Sequence, residues 1–147
     1  MPNIIYTPGL RDLLTHQRTF DEAEYVALLE RDTSTYSPSK SHETLLNQDG
    51  WQEISVASYS REVIGNVAIT ADTVNDRVVL DCGNVDFGSL EAGQTAKSVI
   101  VARNDGGNLG PLLRIDDDAG DLLPRALGGG NFSVHINATG LITFAQV

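Results

Sequence analysis

The chain is poor in the residues that most often carry chemistry or covalent strength. It holds one cysteine, one tryptophan and three histidines among 147 residues. A single thiol, Cys82, excludes an internal disulfide, so no covalent staple supports the fold. In Val78-Val-Leu-Asp-Cys-Gly83 it stands where a small apolar residue packs, and a free thiol there acts as a hydrophobe before it acts as a nucleophile. No apolar run approaches the roughly 18 residues that mark a membrane-spanning helix. The opening Met-Pro-Asn-Ile-Ile-Tyr has neither the basic flank nor the long apolar segment of a signal peptide, which argues against Sec-dependent export. Cations are also scarce. Ten Lys and Arg stand against twenty Asp and Glu, a net charge of −10, which disfavours nucleic acid and anionic membrane surfaces as partners.

What is present favours short strands. A hydrophobic fraction of 41% is enough to build a core, and the length suits one domain. Fourteen glycines, many Val, Ile and Thr residues, and repeated Asn/Asp/Gly clusters point to an all-β chain. The last stretch is the clearest: Phe132, Val134 and Ile136 alternate with Ser133, His135 and Asn137, the period-2 pattern of a strand with one buried face. A turn, Asn137-Ala-Thr-Gly140, then leads to Leu141, Ile142 and Phe144. Further strands are expected at Glu53–Ser58, Val63–Thr70, Arg77–Cys82, Val85–Phe87, Ala96–Ala102 and Pro111–Ile115. Many short strands at such spacing suggest a sandwich or barrel. The expected architecture is a single-domain, jelly-roll-like β-sandwich over residues 19–147, preceded by an extended N-terminal arm, residues 1–18.

Three segments resist a simple assignment. In the arm, Ile4-Ile-Tyr6 is followed by Leu10-Arg-Asp-Leu-Leu14 at helical spacing, too short to be stable alone. It is expected either to pack on a neighbouring subunit or to fray. Thr19 and Glu22 form a capping-box pattern before Phe20–Glu30, yet Tyr25-Val-Ala-Leu-Leu29 fits a buried strand equally well. Residues 32–50 form a long polar connection, with one helical turn expected around His42–Leu46.

The search for reactive groups yields little. His16, His42 and His135 show no metal-ligand spacing, and His135 falls on the outward face of its strand. His42 lies among Ser37, Ser39, Ser41 and Glu43, but nothing there resembles a nucleophile elbow. Asp116-Asp-Asp118 with Asp121 could supply oxygen ligands to Ca²⁺, though it lacks the spacing of an EF-hand loop; a solvated turn is the preferred reading. Gly106–Gly110 and Gly128–Gly130 lack the Lys-Ser/Thr pair of a phosphate loop and read as turns. Trp51 is expected to plug one end of the sandwich. No catalytic residue, cofactor or metal is assigned.

The order of these pieces resembles a group of small virion proteins of tailed bacteriophages that includes capsid decoration, or cement, proteins. The landmarks are Val26-Ala-Leu-Leu29, Tyr36-Ser-Pro38, His42, Glu53-Ile-Ser55, Tyr59 and Arg61, then Val78-Val-Leu-Asp81 and Val85-Asp-Phe87. Thr95–Val101, Pro111-Leu-Leu113, Ile115-Asp116 and a closing hairpin, Phe132–Asn137 with Gly140-Leu-Ile142, complete the pattern over residues 24–145. The chain departs from the group between Tyr59 and Val67, where a Gly-Tyr-x-x-Gly-Gly segment is reduced to Gly65, and in the Leu122–Leu127 insertion. The resemblance implies a strand at residues 25–29. It also implies a structural function: a protein made in the host cytoplasm that binds the outer capsid surface and stabilises contacts between major capsid protein subunits. It would do so as a homotrimer whose several weak sites act together. Ile4, Ile5, Tyr6, Leu10, Leu13 and Leu14 are then the interface candidates, because a monomer cannot easily bury them. The alternatives are a tail-associated or receptor-binding accessory and a Ca²⁺-dependent carbohydrate-binding module; an enzyme is the weakest reading.

Overall fold

The computed structural model describes residues 4–15, 24–104, 109–116, 123–136 and 141–145. In chain order these form β1 (Ile4–Ile5), α1 (Thr7–Leu14), β2 (Tyr25–Arg31), β3 (Glu62–Val63), β4 (Ala68–Asp72) and β5 (Arg77–Asp81). They continue with β6 (Val85–Ser89), β7 (Thr95–Arg103), β8 (Gly110–Ile115), β9 (Arg125–Ala126), β10 (Asn131–Val134) and β11 (Ile142–Ala145). Among the described residues the fold is all-β with one short helix.

The central sheet runs β1-β8-β7-β2-β3, with β9 pairing the start of β7. Its ladders are antiparallel, and Leu28 lies opposite Ile100 while Glu30 lies opposite Ser98. Local helix propensity at residues 25–29 loses to this pairing, because the strand buries both of its faces. Tyr25, Ala27 and Leu29 point into one core with Val99 and Val101. Val26 and Leu28 point into another with Ile100 and Ala102. Burial on both faces explains why the run reads as continuously apolar rather than alternating.

Two smaller sheets, β10-β6 and β11-β5-β4, close the first core. Phe87, Phe132, Val134, Leu80 and Ile142 enter it from them. The second core is closed by the polar connection of residues 32–51. That segment is a packed cover: Tyr36 and Leu45 are buried, and Trp51 meets the Tyr36 ring edge-on. Gly50, at φ +78, makes this possible, since a Cβ there would fall 2.2 Å from Thr35 Oγ1. Burying side chains such as Leu45 and Tyr36 contributes about 1.5–3 kcal/mol each.

Several expectations are corrected. Residues 4–14 do not extend from the body: Ile4 pairs with Arg114, Ile5 pairs with Leu113, and the Tyr6 N–H donates to the Leu112 carbonyl at 2.9 Å. Helix α1 lies so close to β8 that a Cβ on Gly9 would sit 2.4 Å from the Pro111 carbonyl oxygen. Tertiary contact thus supplies what the helix lacks in length. The Glu53–Ser58 strand reduces to one bridge between Glu30 and Glu53. The Ser55 N–H goes to the Gln94 side chain instead of a ladder, and the Tyr59 hydroxyl takes the Leu29 N–H and donates to Glu53.

The single strand expected at Val63–Thr70 breaks into β3 and β4, with Asn66 at φ 52 between them. Around His42–Leu46 the chain forms bends and turns, with no helix. The closing hairpin is also absent among the described residues. β10 pairs with β6 and β11 pairs with β5, so the two strands belong to different sheets. The strand order does not by itself mark a jelly roll. The Thr19–Glu22 capping pattern lies outside the described residues.

Candidate functional site

Three places concentrate polar or apolar side chains in ways that secondary structure alone does not require. The first is an ion network on the second face of the central sheet. Glu30 and Arg114 are 0% and 1% exposed. Arg114 Nε and Nη2 donate to Glu30 Oε2 at 3.1 and 2.8 Å, and Nη1 donates to Asp116 Oδ2 at 2.5 Å. The Ser98 hydroxyl donates to the same Glu30 oxygen at 2.6 Å. Burial disfavours the charged guanidinium, but the facing carboxylates outweigh it and raise the Arg114 pKa above its ordinary value. The network ties β2, β7 and β8 together.

The second place begins at the N-cap of α1. The hydroxyls of Tyr6 and Tyr36 lie 3.1 Å apart, and Tyr36 reaches His42 Nδ1 at 2.8 Å. The Ser39 N–H also donates to Nδ1, so that nitrogen is an acceptor and the proton order follows. Tyr6 donates to Tyr36, and Tyr36 donates to His42. Burial raises the pKa of both tyrosines, and for Tyr6 the bond to Tyr36 adds to the effect. A cleft of about 420 Å³ opens beside Tyr36 and His42, lined also by Asn47, Gln48 and Asp49. Among the described residues no serine hydroxyl is bonded to His42; the Ser39 and Ser41 hydroxyls pair with each other. The Ser–His–acid arrangement that such a loop could have formed is therefore not assembled here.

The third place is apolar. In the outer sheet, Ile69 lies opposite Leu80, which lies opposite Ile142; Ala71 lies opposite Val78, which lies opposite Phe144. Residues opposite one another share a face, so all six project to the same side. The inner end of that face joins the first core through Leu80, Ile142 and Leu13 of α1. The outer end stays open, with Ile69 59% exposed, Phe144 38% and Leu14 60%. Between helix and sheet lies a groove of about 390 Å³ lined by Leu13, Leu14, Ile69, Val78, Leu80 and Phe144, with no charged side chain.

Comparison of the chain with family models, with curated proteins and with solved structures finds no match.

The six N-terminal candidates divide. Tyr6 and Leu13 are buried within their own chain, so the premise that a monomer cannot cover them fails for these two. Ile4, Ile5 and Leu10 are half-buried, and Leu14 alone is open. Cys82 is buried, and desolvation, with the charge of Asp81 beside it, pushes its thiol pKa up to about 12. His135 is exposed, as its alternation implies. Asp116 is engaged by Arg114, while Asp117, Asp118, Asp121 and His16 lie outside the described residues. Sequence reasoning missed the groove, because its lining comes from α1, β4, β5 and β11, and only strand register reveals that they share a face.

Proposed function

We propose that this chain is a bacteriophage virion protein of the capsid decoration type, bound to the outer capsid surface and bracing contacts between major capsid protein subunits. The landmarks across residues 24–145 support the family. The observation that carries the docking role is the uncharged groove between α1 and the outer sheet. Leu14, Ile69 and Phe144 stand open to solvent there on an otherwise acidic protein. Contiguous exposed apolar surface marks interaction sites more often than incidental exposure does. The polar clusters fit this reading too, since the ion network and the tyrosine relay are spent on internal cohesion.

The test is electron microscopy of virions of the phage encoding the chain, paired with groove variants. Density at many symmetric sites on the shell is expected. Density at a single vertex would assign the protein to the tail, and absence from particles would overturn the virion reading. Leu14→Glu and Phe144→Glu should lower capsid occupancy with little loss of fold, because both side chains are already partly in water. Deleting residues 1–14 is a poor test, since it removes Tyr6 and Leu13 from the core.

A further inference from the structure

We infer that the free edge of β4 pairs with the same edge of a second copy of this chain, antiparallel about a two-fold axis at Thr70. The inference rests on the outer sheet alone and stands apart from the virion reading. Strand β4 ends the order β11-β5-β4, and among the described residues it pairs only with β5. Ala68, Ile69, Thr70 and Ala71 are exposed, so one row of backbone donors and acceptors faces solvent. Proteins normally guard such an edge by keeping it very short or with charged side chains, Pro, a bulge or a covering loop, and of these β4 has its five-residue length and Asp72 at one end. Ala68-Ile-Thr-Ala-Asp72 contains neither Lys nor Pro, and its ladder with β5 runs without a register shift.

The occupant follows from what β4 can pair with. An extended strand satisfies the open edge, and β4 is complementary to itself. With Thr70 opposite Thr70 of the second copy, Ile69 faces Ala71 on the apolar side. Ala68 faces Asp72 on the other side. No like charges meet, and Thr–Thr pairs are among the favourable cross-strand contacts. Asp72, the one charged residue of the strand, is already held by Arg77 at 2.7 Å and by the Asn75 amide at 2.9 Å.

Charge points the same way. Two copies at −10 each repel overall, so they meet best where neither presents an unpaired charge. Within β4 the one charge, Asp72, is already paired with Arg77, and the lining of the neighbouring groove carries none. Pairing would continue the sheet as β11-β5-β4-β4-β5-β11 and place two apolar grooves on one side.

Light scattering of the full chain at micromolar concentration should give twice the 15.8 kDa chain mass. Added salt should strengthen the association, because it screens like net charges. Thr70→Lys sets two cations face to face on the axis; it should return the mass to that of a monomer with an unchanged far-UV circular dichroism spectrum. Thr70→Cys should form an intermolecular disulfide under oxidation, since directly opposed Cβ atoms lie about 4.5–5.5 Å apart. Val74→Cys, at the exposed tip of the β4–β5 turn, should not. A monomer or trimer mass for the unsubstituted chain would overturn the inference. So would a dimer untouched by Thr70→Lys, equal cross-linking at Val74→Cys, or association weakened by salt, the mark of a contact between opposite charges.

Discussion

Replacing Arg114 with methionine should be among the most damaging single changes available in this chain. The guanidinium makes three hydrogen bonds to two buried carboxylates, Glu30 and Asp116, from a position 1% exposed. Methionine keeps much of the apolar stem, so the loss is mainly one of charge. Removing one partner of a buried pair costs about 3–5 kcal/mol, because the remaining charge is stranded away from water. Against a total stability of about 5–15 kcal/mol, that is a large share. At about 2–4 °C per kcal/mol for a domain near this size, the midpoint of melting should fall by roughly 6–20 °C.

Urea titration followed through Trp51 fluorescence would measure the change, because Trp51 packs against the core beside the network. The double variant Glu30→Gln with Arg114→Met should recover part of the loss, as the stranded charge on Glu30 disappears. A coupling of about 0.5–3 kcal/mol is expected for groups in such contact. A loss below about 1 kcal/mol for Arg114→Met, typical of exposed pairs, would show that the network is open to water and refute its buried role. Strict additivity in the double variant would do the same.

Other consequences can be checked more simply. Gly9→Ala should destabilise the fold by about 1–3 kcal/mol, despite alanine's better helix propensity, because the added methyl meets the Pro111 carbonyl; a more stable variant in urea melts would refute the close packing of α1 on β8. For Asp12, burial raises the carboxyl pKa, but hydrogen bonds from Arg11 and Arg103 outweigh it and hold the group below its ordinary value. A depressed carboxyl pKa stabilises above the unfolded value and is lost as pH falls through the folded one. The link from α1 to Arg103 should therefore weaken below about pH 4, and Asp12→Asn should flatten that part of the stability profile. Cys82 should resist a thiol reagent at pH 8 in the native state and react fully in denaturant, since burial keeps it protonated; native labelling at the rate of a free thiol would contradict its placement.

The sequence by itself determined the strand content and most strand positions. Alternation at Phe132–Val134 and the apolar runs at residues 95–103 and 110–115 are local signals, and they survive folding as read. It also determined that Cys82 packs, because nothing around it activates a thiol. Tertiary structure decided which strands pair. The pattern of residues 128–144 reads as a hairpin, yet its two halves join β6 and β5 in separate sheets, since alternation specifies a buried face and not a neighbour. Tertiary structure likewise decided that Ile4–Leu14 docks on β8 and that the polar segment 32–51 covers a second core. Each of these buries its few apolar side chains only against a surface built by residues distant in the chain. The groove and the outer edge of β4, unpaired among the described residues, belong to the same class, because a shared face and an open edge exist only once the register is set.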